Sequence, residues 1–264
     1  MRFTKMQGLG NDYLYVYGDV PENVGEICRK LSDRRFGAGS DGMIFISPSS
    51  RADFRMRIFN ADGSEAKMCG NGIRCVGKYV WDKGYTDKTL LSVETLSGIK
   101  TLELSVRAGR VREARVDMGR SSVEEDIALP VPGFDGICTP VSVGNPHAVI
   151  FVDDAEAVRV EKTGPEIENC GFFPGGVNVE FVQVLSADEL RMRVWERGSG
   201  VTAACGTGAC ASVAAATSKG FCEYGCPVTV VLDGGKLEIT VQKDGSTVMT
   251  GPCESVYEGE TDLC

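Results

Sequence analysis

Two cysteines stand in matching surroundings, Met68-Cys69-Gly70-Asn71-Gly72 and Ala204-Cys205-Gly206-Thr207-Gly208. Both belong to a longer repeat. Residues 54–84 align on 190–220 without a gap at an offset of 136, and they share Arg-Met-Arg, Cys-Gly-x-Gly and Lys-Gly in one register. Each copy reads as strand, loop, helix. Phe54, Met56 and Ile58 alternate with Arg55 and Arg57, as in a half-buried strand, and Ile73, Val76 and Val80 then take helical spacing up to a stop at Gly84. In the second copy the spacing predicts a helix over 209–219 ended by Gly220, with small residues all round, as suits burial on every side.

A cysteine just ahead of a helix meets unpaired N–H groups and the positive end of the helix dipole. The expectation is a thiol pKa lowered toward the neutral range at both Cys69 and Cys205. The flanking glycines let a bound carboxylate approach the backbone, so the N–H groups of Gly70-Asn71 and Gly206-Thr207 are candidate carboxylate binders. A nucleophilic cysteine normally takes a histidine partner, and His147 is the one histidine of the chain. A thioredoxin-like site needs Cys-x-x-Cys, which is absent. What remains is proton exchange at one carbon, one thiolate removing a proton from one face and one thiol delivering to the other. Like-charge repulsion favours that mixed state over two thiolates. Nothing in the sequence suggests a pyridoxal aldimine lysine, so no cofactor is expected.

The rest of the chain must position these groups. Its 264 residues carry an ordinary 42% of apolar and 25% of charged residues, which points to a globular protein. A net charge of −9 argues against nucleic acid or an anionic membrane as main partner. No apolar run is long enough to span a bilayer and the polar start does not read as a signal peptide, so a cytoplasmic location is expected. Eleven cysteines without a secretory context read as free thiols. Cys222-x3-Cys226 has metal-like spacing but lacks a second tight pair, so no metal site is expected. Cys28, Cys75, Cys138, Cys170, Cys210, Cys253 and Cys264 read as core filler or incidental thiols.

In chain order, two strands flank Gly8–Asp12, Pro21 opens a helix with Val24, Ile27, Cys28 and Leu31 on one face, and Met43–Ile46 forms a strand. Short strands follow to Met118, turning at Ala108-Gly109, and the 120–140 stretch with Pro130, Pro132 and Pro140 reads as a linker. The second half then repeats the programme, with Gly144-Asn145-Pro146-His147 ahead of one apolar run and Asn178–Val182 at the offset of Gly42–Ile46. Hairpins close it, turning at Asp233-Gly234-Gly235 and Lys243–Ser246. The expectation is an α+β protein of two pseudo-symmetric domains, 1–119 and 120–251.

At this point the sequence resembles the diaminopimelate epimerase family over nearly its full length. The motifs are GNDY at 10–13, FNADGSE at 59–65, MCGNGIRC at 68–75, GNPH at 144–147, NVEFV at 178–182 and WERGSGVTAACGTGA at 195–209. The resemblance implies interconversion of LL- and meso-2,6-diaminopimelate without metal or pyridoxal phosphate. It implies Cys69 and Cys205 as the acid/base thiols, with His147 and Glu196 helping their proton transfers. Asn11, Asn60, Asn145, Asn178, Glu196 and Arg197 would hold the diamino dicarboxylate, chiefly by its distal amino and carboxylate groups. The implied fold is two similar domains, each a mostly antiparallel β-sheet wrapped round a central helix, with the tail 252–264 returning to the first. A homodimer is the assembly expected. Some family members carry glutamine where Gly42 stands, a departure near the site.

Blander readings exist for the same residues. Asn11 and Asn60 taken alone are turn formers, His147 alone is a packed ring, and Glu196-Arg197 could be a solvated strand edge. A proline racemase or hydroxyproline epimerase would use the same two-thiol chemistry, but those resemble a Met-Cys-Gly-His motif where this chain has Asn71. A thiol switch or zinc-binding protein is the alternative from another class.

Overall fold

A computed structural model describes residues 1–129, 131 and 136–262. Pro130, Pro132 and Cys264 lie outside the described residues. The chain divides into two compact units, residues 1–117 with 251–264, and residues 118–250.

In the first unit the strands and helices run β1 (Arg2–Gly8), β2 (Asn11–Tyr17), α1 (Val24–Ser32), β3 (Gly42–Pro48) and β4 (Phe54–Asn60). They continue with β5 (Glu65–Ala66), α2 (Gly70–Asp82), β6 (Leu90–Thr95), β7 (Gly98–Arg107) and β8 (Arg110–Arg120). The second run has β9 (Ser122–Val123), β10 (Ile127–Ala128), β11 (Ile137–Ser142), β12 (Pro146–Phe151), α3 (Val160–Glu168), β13 (Asn178–Ser186) and β14 (Glu189–Glu196). It closes with β15 (Gly200–Val201), α4 (Gly206–Ser218), β16 (Pro227–Leu232), β17 (Gly235–Val241) and β18 (Ser246–Pro252), before β19 (Glu254–Glu260) pairs antiparallel with β1.

The two units are wired alike. In the first, β1–β2 is antiparallel, β2–β3 parallel, β3–β4 antiparallel, β4–β6 parallel, and β6–β7–β8 antiparallel. In the second, β11–β12, β12–β13, β13–β14, β14–β16 and β16–β17–β18 repeat that order of senses. Parallel neighbours need a long crossover. The helices supply it, α1 and α2 in the first unit, α3 and α4 in the second. The fold is therefore α+β, two pseudo-symmetric halves of mostly antiparallel sheet, each with a buried central helix.

Those central helices carry the site. Residues Ala209 to Thr217 of α4 are buried without exception, because alanine, serine and other small side chains let strands close in on every face. Burial runs equally far round α2, although it includes Arg74 and Lys78. Lys78 Nζ reaches Asp82 Oδ2 at 2.6 Å and the Val111 carbonyl at 2.7 Å, which satisfies the buried ammonium. Ile73, Val76 and Val80 fill the core, each contributing roughly 1.5–3 kcal/mol of apolar burial.

Several local expectations shift. The helix expected from Pro21 starts at Val24 behind Asn23, with Pro21 closing a preceding turn through its carbonyl. The helix expected over 209–219 starts at Gly206, one turn early, because Gly206-Thr207-Gly208 are already helical. Within 120–140, β9 and β10 both pair with β11, which contains Pro140. Helix α3 answers to no periodic signal, since Gly164-Pro165 sits in its middle. Among the described residues no helix is long and apolar enough to cross a membrane.

Candidate active site

Cys69 is the N-cap of α2 and keeps an extended backbone, while its Sγ accepts the N–H of Gly72 at 3.3 Å. Gly70 and Asn71 form the first turn behind it, whose N–H groups lie beyond the reach of intrahelical carbonyls. The Cys69 thiol donates to Asn11 Oδ1 at 3.2 Å. Asn11 in turn gives its Nδ2 to Asp41 Oδ2 at 2.8 Å, which fixes the amide with its oxygen toward the sulfur. Asp41 is braced by Arg34, and Arg34 also pairs with Asp12. Arg74, fully buried, ties the first turn together by donating to Gly70 O at 3.1 Å, Asn71 Oδ1 at 3.0 Å and Pro252 O at 3.1 Å. Asn60 ends β4 and gives its Nδ2 to Ser64 Oγ at 3.1 Å.

Gly42 faces Asn60 across the β3–β4 pair, and a Cβ there would stand 2.1 Å from the Phe59 carbonyl oxygen. The backbone here thus requires glycine. Its neighbour Asp41 accepts the Asn11 amide.

The second half presents Cys205 in the same way, N-cap of α4, its Sγ accepting the N–H of Gly208 at 3.4 Å. Gly206 and Thr207 form that first turn. Thr207 Oγ1 lies 3.6 Å from the sulfur and takes the Nδ2 of Asn145 at 3.3 Å. Glu196, at the end of β14, receives a hydrogen bond from Thr202, and its carboxylate lies close enough to Cys205 to raise the thiol. Asn178 gives Nδ2 to Pro146 O at 3.1 Å and accepts the Arg197 N–H at 3.0 Å, while the exposed Arg197 guanidinium reaches Gly175 O. His147 is sealed in, its Nδ1 2.7 Å from Glu180 Oε1.

So Cys69, Asn11, Gly70 and Asn71 gather at one helix start, and Cys205, Thr207, Asn145 and Glu196 at the other. Asn178 and Arg197 join each other, and Asn60 stands at a strand end. Sequence reasoning missed Asp41, Thr202 and Glu180.

One expectation is corrected. The α4 N-terminus does not make Cys205 acidic. Burial pushes the thiol well above its ordinary value, and the Glu196 and Glu180 carboxylates push it further, against hydrogen bonds from Thr207 and Gly208. Burial also raises the Glu196 carboxyl, with Thr202 and Cys205 opposing. Cys205 therefore rests as a thiol. Elsewhere, burial holds Cys28 and Cys138 up at about 12, which makes them inert.

The fold of two matching halves, each built round a central helix, recurs among solved structures. A hydroxyproline epimerase from Agrobacterium vitis superposes with a TM-score of 0.76 at 18% identity, over 99% of this chain and 90% of that one. The sequence goes further. The diaminopimelate epimerase family model matches residues 3–124 and 139–256. A diaminopimelate epimerase of Acetivibrio thermocellus is 50% identical over 279 residues, covering 100% of this chain and 99% of its own. One from Methanococcus maripaludis strain C5 is 49% identical over 280 residues, covering 100% of both. The chain belongs to the diaminopimelate epimerase family.

Proposed function

We propose that this isomerase interconverts LL- and meso-2,6-diaminopimelate by two-thiol proton exchange, supplying lysine and cell-wall precursor synthesis. The observation that carries the reading is the pair of N-cap cysteines, each held by the third residue of its helix. In one direction Cys205, kept protonated by its surroundings, delivers a proton to the α-carbon while Cys69 removes one, and in the reverse direction the two thiols exchange these roles. The first-turn N–H groups of Gly70-Asn71 and Gly206-Thr207 take the α-carboxylate and stabilise the charge that grows on it. Asn11, Asn60, Asn145, Asn178, Glu196 and Arg197 hold the remaining amino and carboxylate groups. His147 and Glu196 assist the proton transfers. The reaction uses neither metal nor pyridoxal phosphate. Domains 1–119 with the tail 252–264, and 120–251, each supply one thiol.

The enzyme is cytoplasmic, in keeping with a small water-soluble substrate, and works as a homodimer, which sedimentation would check. Substrate identity is tested by incubating reduced protein with LL-diaminopimelate, L-proline and trans-4-hydroxy-L-proline, and separating the stereoisomers. Turnover of diaminopimelate alone is expected. Turnover of a cyclic imino acid without diaminopimelate overturns the assignment.

A further inference from the structure

Glu180 is the third residue of β13, between Val179 and Phe181, and neither its side chain nor that of His147 reaches solvent. With Glu180 as a carboxylate, which only accepts hydrogen bonds, the 2.7 Å contact between Glu180 Oε1 and His147 Nδ1 places the proton on Nδ1. In the neutral ring that leaves Nε2 as an acceptor. Nε2 is buried and has no hydrogen-bond partner among the described residues. Folding alone disfavours such an atom, which points to chemical use.

The same carboxylate packs under the start of α4. A Cβ on Gly208 would meet Glu180 Oε1 at 2.7 Å, and the N–H of Gly208 is the one that holds the Cys205 sulfur. The first half solves the identical packing problem differently. At the repeat offset its residue is Ile44, whose Cδ1 would lie 2.7 Å from a Cβ on Gly72. An isoleucine suffices to seat the helix, so packing does not explain a buried glutamate. The carboxylate and imidazole occur together in the Cys205 half alone.

We propose that Glu180 is a positioning residue of the epimerase. It holds His147 as the Nδ1–H tautomer, so that Nε2 stays open as the proton acceptor of the Cys205 half-site. This rests on the reading of His147 as an aid to proton transfer. Glu180 touches no substrate and acts through the ring, as the carboxylate of a Ser-His-Asp triad does.

The chain has one histidine, so the 15N spectrum of ring-labelled protein reports His147 without assignment. The wild type is expected to show a protonated Nδ1 and an unprotonated Nε2. Glu180→Ile, copying the first half, removes the acceptor. The Nδ1–H preference is then lost and kcat falls by about 100-fold, the lower range for acid–base assistance, with little change in KM. Glu180→Gln keeps the volume and decides the matter if the isoleucine variant does not fold. A wild-type ring protonated at Nε2 alone overturns the proposal, as does a folded Glu180→Gln with unchanged tautomer and kcat. A wild type that shows the Nδ1–H tautomer yet ignores diaminopimelate would instead refute the assigned function.

Discussion

Gly72 and Gly208, each three residues after an N-cap cysteine, occupy equivalent positions, so alanine at each is a controlled comparison. Either substitution gains about 1 kcal/mol of helix propensity. Either also overpacks, at a cost of about 1–3 kcal/mol. At Gly72 the new methyl meets Ile44 Cδ1 at 2.7 Å and Met56 Cε at 3.3 Å, both ends of pliable apolar side chains. At Gly208 it meets Glu180 Oε1 at 2.7 Å and Glu180 Cγ at 3.2 Å. The carboxylate must move, and the His147 contact breaks, leaving buried polar atoms unpaired at about 1–3 kcal/mol. Gly72→Ala is therefore expected within about 2 kcal/mol of wild type, and Gly208→Ala about 2–4 kcal/mol below it. Urea unfolding at matched slope measures both. Exchange of the substrate α-proton in D2O should fall much further in Gly208→Ala than in Gly72→Ala. Equal losses in both readouts would refute the placement of Glu180 against the α4 first turn.

Glu196→Gln removes one of the charges that hold the Cys205 thiol up, so iodoacetamide should label Cys205 faster at neutral pH, read by peptide mass mapping. Slower labelling would contradict that electrostatic account. Asp53 is held down to about 2 by Lys88 first and by the N–H and hydroxyl of Ser92. Its folded value lies below its unfolded one, so its stabilisation is present above about pH 4 and is lost as pH falls toward 2. Asp53→Asn should thus cost about 1 kcal/mol at pH 7, after discounting for solvent, and only a small fraction of that at pH 2, by urea titration at both.

Much of this was legible because the repeat aligned two helices that share little composition. Arg74 of α2 falls on Cys210 of α4, yet the Cys-Gly-x-Gly start and Lys-Gly end locate both helices, although α4 begins one turn before the expected Ala209. The hairpin turn at Ala108-Gly109 was equally local, with both residues at positive φ. Helix α3 was not legible, because Gly164-Pro165 advertises a break. Tertiary packing overrides that signal, since a Cβ at 164 would stand 2.5 Å from Trp195. Glu180 hid within an apolar run that read only as a strand. Its signal was a charge at the repeat position where the first half has Ile44. The acidity of Cys205 was misjudged for a related reason. The helix start is local, but the opposing carboxylates come from β13 and β14.

The most direct test of the two-thiol account is proton NMR of LL-diaminopimelate in D2O with reduced wild type, Cys69→Ala and Cys205→Ala. The account predicts that wild type brings deuterium into an α-position as meso product appears, while neither variant forms meso product. Meso product from either alanine variant at the wild-type rate would contradict it.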